Sequence, residues 1–335
     1  MGNRFSRVVV NLLVLLGGAS GQENGPPSPG VSPGPGLSAV TAKSVEGASK
    51  QPWRYLLYLP QRYVQHPEEK LPLLLFLHGS SGRGQDLERL KRYGPPARLK
   101  DEVDFPMAMV APQLPAGAWE TSSVLELLDE VVASFRMDPD RIYLTGVSLG
   151  GQGAWGIAAR APERFAAMAP VCGFGDLQSA ARLRNLPIWA FHGALDEIVP
   201  LAPHQELVEA VNRAGGSARL TIFEQGDHGD ILVPVYGRKT GSRLYTWLLR
   251  QRRNQPSQGW TEEERLERLP GPGAPPPVAL PQSPASAPVS SSEPGEFWDL
   301  LFRWIDGLNA PASLPPSLPP SPMPDGTQTE GASVP

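Results

Sequence analysis

Between about residues 45 and 255, short apolar runs alternate with segments whose apolar residues recur at helical spacing. Seven runs have the length and character of strands: Trp53–Leu59, Pro72–His78, Pro106–Ala111, Arg141–Val147, Phe165–Val171, Pro187–His192 and Ala218–Phe223. Runs such as Leu73-Leu74-Leu75-Phe76-Leu77 have no polar face, which is the pattern of a strand covered on both sides. Among the intervening segments, Val124, Leu127, Leu128, Val131 and Phe135 form one stripe, and Ser123 with Glu126 reads as a capping box in front of a helix over 124–135. This alternation predicts an α/β fold, with a mostly parallel central sheet flanked by helices. A segment of about 210 residues is long enough to bury one large core.

The flanks differ in character. Residues 22–44 are rich in Gly, Pro and Ser and read as a linker. From Pro256 onward 18 of 80 residues are proline, too little apolar surface to offset chain entropy, so 256–335 reads as a mostly disordered tail. Two islands interrupt it. Thr261–Leu269 has the pattern of a short charged helix. Near 296–308, Phe297, Leu300, Leu301, Trp304 and Leu308 share one helical face. This aromatic helix carries Glu296, Asp299 and Asp306 against Arg303, so it lacks the basic face of a membrane-surface helix. It is expected to dock on its own domain or on an unknown protein partner.

At the other end, Arg4 and Arg7 precede an apolar run from Val8 to Leu16, followed by the small residues Ala19-Ser20-Gly21. That is the make-up of an export signal over residues 1–21, and the run is too short for a membrane span. Met1-Gly2-Asn3-Arg4-Phe5-Ser6 also fits a loose myristoylation pattern. Export is the better reading, and it implies a secreted or cell-envelope protein. A net charge of −4 gives no basic footprint for nucleic acid. One cysteine, Cys172, excludes an intramolecular disulfide and a zinc–thiolate site, and the five histidines show no close metal-ligand spacing. No metal is expected.

The candidate chemistry begins at Gly146-Val147-Ser148-Leu149-Gly150, which lies between a strand and a helix rich in small residues. A strand–GxSxG–helix context is that of a nucleophile elbow, where a sharp turn exposes the serine hydroxyl. Serine needs a general base oriented by a third group, and in this architecture the acid and then the histidine follow in the chain. Asp196 follows the strand ending at His192, and His228 follows the strand ending at Phe223. Open α/β sheets collect their active groups on such loops at strand C-terminal ends. His78 and His192, each before a glycine at a strand end, read as loop-orienting residues. The backbone N–H of Leu149 is the expected first oxyanion donor. Ser80, with Ser81 behind it, is the expected second, in His78-Gly79-Ser80-Ser81-Gly82. Trp119, Trp155 and Phe174 lie near strand or elbow ends and are substrate-pocket candidates, and Cys172 reads as a small buried residue.

Taken together, these residues resemble the α/β-hydrolase superfamily, and within it the secreted bacterial esterases of the polyhydroxybutyrate-depolymerase and feruloyl-esterase type, including a group known as predicted peptidases. The likeness rests on Leu77-His78-Gly79, on Asp138 through Gly151, on Pro170-Val171-Cys172-Gly173 and on Ala190 through Asp196, with Leu244–Leu249 like the closing helix. It covers about residues 45–255. It implies an α/β-hydrolase fold and a serine hydrolase that cleaves small-molecule carboxylic esters through an acyl-enzyme on Ser148, with no cofactor. One departure stands out: the last histidine usually follows glycine directly, whereas Asp227 intervenes here between Gly226 and His228. Asp227 and Asp230 are therefore rival acids to Asp196. The alternatives to an esterase are a serine peptidase on short peptides and a non-catalytic scaffold that works through its proline-rich tail.

Overall fold

Seven strands form where the apolar runs lie, and two more join them at the edges. In the computed structural model they are β1 (Gly36–Glu46), β2 (Pro52–Leu59), β3 (Leu71–Leu77), β4 (Ala108–Pro112), β5 (Met137–Val147), β6 (Ala167–Val171), β7 (Ile188–Gly193), β8 (Ala218–Phe223) and β9 (Leu266–Leu269). The α-helices are α1 (Arg62–Gln65), α2 (Gly94–Leu99), α3 (Thr121–Ser134), α4 (Leu149–Arg160), α5 (Leu201–Arg213), α6 (Leu232–Tyr236) and α7 (Ser242–Arg250). The structure describes residues 34–46, 52–100, 102, 104–237, 242–255 and 259–270. They belong to the first of two compact units, Met1–Pro277; the second, Val278–Pro335, lies outside the described residues, as do the expected export signal and the aromatic helix near 296–308.

The sheet order is β1-β2-β4-β3-β5-β6-β7-β8-β9. The β1–β2 and β2–β4 pairs are antiparallel and all the others parallel. Both faces of the parallel part are covered. Leu74 and Phe76 of β3 join a buried cluster with Leu99 of α2, Tyr236 of α6 and Leu244 and Leu248 of α7. Leu73, Leu75 and Leu77 alternate to the opposite side and are equally buried. From β3 the chain steps to β4 on one side and then to β5 on the other, so a crevice opens at the C-terminal ends of β3 and β5. No helix among the described residues is long and apolar enough to cross a membrane.

Three local expectations are corrected. Part of the 22–44 linker is strand, because Gly36–Thr41 pair in register with Leu59–Arg54 of β2. The charged island is a turn followed by β9, not a helix. It pairs with β8, and Glu267 accepts from Thr221 at 2.8 Å and forms ion pairs with Arg219 at 2.7 Å and Arg243 at 3.0 Å. Those partners, two on β8 and one on α7, override the helical propensity of a Glu/Arg-rich stretch. Finally, α3 starts at Thr121, so Ser123 lies inside the first turn and cannot cap it; Ser122 and Ser123 instead donate to the Glu120 carboxylate at 3.1 and 2.9 Å.

Candidate active site

Ser148 sits between β5 and α4 with φ 57 and ψ −120, a backbone region that costs a non-glycine residue energy and persists only when its surroundings enforce it. The enforcement is visible. The Ser148 amide donates to the Val171 carbonyl at 2.9 Å, and the Ser148 carbonyl accepts from Gln152. A Cβ at Gly146 would collide with the Gly150 backbone, and one at Gly150 with the Leu77 carbonyl, so only glycine lets β3, β5 and α4 converge this closely. As the first residue of α4, Leu149 presents an N–H with no intrahelical acceptor.

The loop after β3 passes directly beside the elbow: a Cβ on Gly79 would lie 3.4 Å from that of Ser148. Its shape is held by His78. The ring Nε2 accepts from the Leu114 amide at 2.9 Å, which leaves the proton on Nδ1, 2.6 Å from the Gly79 carbonyl. The Trp119 indole N–H donates to the His78 carbonyl at 3.2 Å and its ring meets the imidazole edge-on. Burial pushes the His78 pKa down to about 4, so the ring is neutral. The Gly79 amide donates to Tyr93 Oη at 3.0 Å. Ser80 follows at the start of a 3-10 turn, Ser80–Gly82, half-buried, with Ser81 exposed beside it. Tyr93 is a component that sequence reasoning missed.

Asp196 and His228 meet across the next two loops. His228 Nδ1 lies 2.7 Å from Asp196 Oδ2, while Asp196 Oδ1 accepts from the amides of Ile198 at 3.0 Å and Val199 at 2.8 Å. The loops are joined by backbone bonds, Ala194 N–H to Phe223 O at 2.9 Å and Leu195 N–H to Gly226 O at 3.0 Å. A side chain on Gly193 would strike Gly226, so the strand end must be glycine. Burial raises the Asp196 pKa, but hydrogen bonds from His192, His228 and Val199 outweigh it and hold the carboxyl well below its usual range. The rival Asp227 is engaged elsewhere: its Oδ1 accepts from the amides of Gly229 and Asp230, both at 2.7 Å. The extra residue between Gly226 and His228 thus shapes its own turn.

Cys172, after β6, links the pieces. It follows the Val171 carbonyl that holds Ser148, has φ 46, and its Sγ lies 3.9 Å from the His228 carbonyl. Cys172, His192 and Asp196 have potential ligand atoms within 4.8 Å of one another, the one such group among the described residues. Burial and the neighbouring Asp196 carboxylate push the thiol pKa well above its usual value, so it stays a neutral thiol. Of the three aromatic pocket candidates, Trp119 is half-exposed and stacked on Trp53 at 6.1 Å. Phe174 is almost fully buried and Trp155 wholly so, donating to the Gly173 carbonyl at 3.0 Å. Trp155 is therefore core beneath the site rather than a wall of it.

Comparison with known proteins finds esterases. The family model described as Esterase PHB depolymerase matches residues 111–186, the span that carries the elbow. Feruloyl esterase D of Neurospora crassa is 26% identical over 255 residues, covering 72% of this chain and 83% of that protein. The bifunctional acetylxylan esterase/xylanase XynS20E of Neocallimastix patriciarum is 26% identical over 134 residues, 38% of this chain and 20% of that protein. The chain spans about half, 53%, of the putative esterase NocK of Nocardia uniformis subsp. tsuyamanensis, at 29% identity over 44% of its own length. Among solved structures, a thermostable esterase superposes with a TM-score of 0.53 at 28% identity, covering 65% of this chain and 63% of that one. The chain belongs to the α/β-hydrolase superfamily. Within it, the sequence likeness is to esterases.

Proposed function

We propose that the protein is a serine ester hydrolase that forms an acyl-enzyme on Ser148. The observation that carries this reading is the 2.7 Å contact between Asp196 and His228 at the same sheet edge as a serine held at φ 57. His228 takes the Ser148 proton as the hydroxyl oxygen attacks the ester carbonyl, and the Leu149 and Ser80 amides receive the developing oxyanion. The imidazolium gives its proton to the departing alcohol, and Asp196 keeps the ring oriented and stabilises its charge. Water then attacks the acyl-enzyme with His228 again as base, releasing the acid.

The substrate class is small carboxylic esters, with acetylated xylan and feruloyl esters first to try because two relatives are named for them. Trp119 stands as the aromatic wall of the acyl or alcohol site. Exposed Leu177, Leu195 and Ile198, on the segments after β6 and β7, offer apolar surface at the same edge. The residues before Gly21 support export to the exterior or the cell envelope.

The test is hydrolysis of p-nitrophenyl acetate and butyrate by the full chain and by Ser148→Ala, with a fluorophosphonate probe alongside. Turnover and labelling that vanish together in the variant are expected. Equal turnover in both proteins, with Ser148 unlabelled, overturns the reading.

A further inference from the structure

Behind Asp196 the hydrogen-bonded chain continues through groups that the acyl-transfer steps do not use. His192 Nε2 lies 2.9 Å from the Val199 carbonyl oxygen and 3.3 Å from Asp196 Oδ2. Both are acceptors, so this nitrogen carries the proton. On the other side, His192 Nδ1 is 2.7 Å from Nδ1 of His204, which projects from α5. A neutral His192 with its proton on Nε2 can only accept there, so His204 Nδ1–H is the donor. That leaves His204 Nε2 as an acceptor, and the Trp155 indole N–H, which can only donate, lies 3.4 Å from it. Both imidazoles are fully buried and meet edge to face, with centroids 5.0 Å apart. One donor direction therefore runs from Trp155 through His204 to His192, whose single Nε2–H is shared between the Val199 carbonyl and Asp196 Oδ2, the oxygen that also accepts from His228.

We propose that His192 and His204 are positioning residues: a neutral two-histidine relay that fixes the Asp196 carboxylate so that Oδ2 faces His228. The proposal rests on the Ser148–His228–Asp196 reading above. A buried carboxylate needs a donor on every available lone pair, and a network that is fully satisfied has one arrangement, whereas a broken one has several. The two Asp196 oxygens divide the work. Oδ1 is held by the amides of its own loop, and Oδ2 is held from behind by His192 while it serves His228 in front. The relay operates only while both rings are neutral, because a further proton would set two N–H groups head to head at the 2.7 Å contact. Burial and the neighbouring His192 hold the His204 pKa well below its usual value, which keeps that ring neutral. The other titratable groups facing the pair are Asp196, His228 and Cys172, with Asp227 beyond the thiol.

Two isosteres separate positioning from mere filling of space. The amide nitrogen of glutamine reaches as far from Cβ as His192 Nε2, whereas that of asparagine stops at the position of Nδ1. His192→Gln keeps the donor to Asp196 but gives up the Nδ1 acceptor for His204, so its kcat is expected to fall about 3–10-fold, less than in His192→Asn. His192→Asn loses it, and kcat should fall about 10–100-fold with KM little changed, the scale of one hydrogen bond to a charged group. In His192→Asn the acid limb of kcat/KM should also move to higher pH, because a carboxylate with one donor fewer holds the imidazolium more strongly. Equal kcat and equal acid limbs in the two variants overturn the relay. Ring nitrogen NMR of the unmodified protein tests the donor direction without any variant: His192 should be the Nε2–H tautomer and His204 the Nδ1–H tautomer, and the opposite assignment overturns the relay. If the unmodified protein shows no Ser148-dependent turnover, the esterase reading fails while the tautomers still judge the relay.

Discussion

A carboxylate has two oxygens to divide between its own loop and a neighbouring histidine, and Asp196 does so, with Oδ1 on its loop amides and Oδ2 on His228. Asp227 is adjacent to His228 in the chain, yet its Oδ1 is taken by two amides of the following turn. Asp196, 32 positions away, is the carboxylate that touches the ring. Its side chain has no exposed surface, and its depressed pKa means that folding favours the ionised form. The sign follows: the stabilisation is present above the ordinary carboxylate range and is lost as pH falls through the depressed folded value. Asp196→Asn is expected to lower kcat by several powers of ten, on the scale of about 10⁴ seen when a triad acid is neutralised. Asp227→Asn should leave kcat within about threefold. Stopped kinetics on one ester with both variants checks this, and the reverse ranking would move the role of the acid to Asp227. The contact between Asp196 and His228 was legible because both residues follow strand ends. The contact between His204 and His192 was not, because it is made across two elements and leaves no mark in the spacing of either.

At the scale of the element, the loop after β3 shows why a strand-end histidine is kept neutral. Its proton is committed to Gly79 and its lone pair to Leu114, and a charged ring would forfeit the second bond while buried. Its pKa falls from the ordinary value near 6.5 to about 4, so between those values the unfolded chain binds a proton that the folded chain does not. Stability contributed by the neutral ring is full above about pH 6.5 and is lost as pH falls toward 4, by up to about 3 kcal/mol. Urea midpoints at pH 7 and pH 4.5 should therefore differ more in the native protein than in His78→Gln, which cannot titrate; an identical pH slope would exclude His78 as the linked group. Loop-orienting duty was readable from its place before glycine at a strand end. The element limits were less so. All seven apolar runs contain a strand, because short runs rich in apolar residues and bounded by turn residues are buried best in a sheet covered on both faces. The α3 start was misplaced by three residues, because a serine in the first helical turn and a serine at the cap look alike in sequence.

On the scale of the whole molecule, composition located the core but not its edges. Proline and glycine content drew boundaries near residues 45 and 255, whereas the sheet runs from Gly36 to Leu269. Edge strands escape such a reading because their stability comes from one neighbouring strand and a few side-chain anchors, not from an apolar run of their own. For the C-terminal edge those anchors are specific. Arg252 and Arg253 pair with Asp138 and Asp140 at 3.0 Å, fastening the chain after α7 to the start of β5. Trp260 then stacks on Trp247 with centroids 5.9 Å apart, lies under the Arg219 guanidinium at 4.7 Å, and donates to the Ile188 carbonyl at 3.3 Å. Burial alone would raise the pKa of Glu267 in β9, but hydrogen bonds from Arg219, Thr221 and Arg243 bring it below its usual value. A chain ending at residue 255 discards Trp260 and β9 together, while one ending at residue 270 keeps both. The shorter chain should lose about 2–4 kcal/mol, which for a domain of this size lowers Tm by about 5–10 °C. Its kcat on a p-nitrophenyl ester at 15 °C should stay close to that of the longer chain, because no described residue of 259–270 makes a hydrogen bond or ion pair with Ser148, Asp196 or His228. Equal melting temperatures for the two chains would mean that β9 decorates the sheet without supporting it. A fall in kcat at unchanged stability would mean instead that β8, which carries the His228 loop, depends on its edge partner for its position.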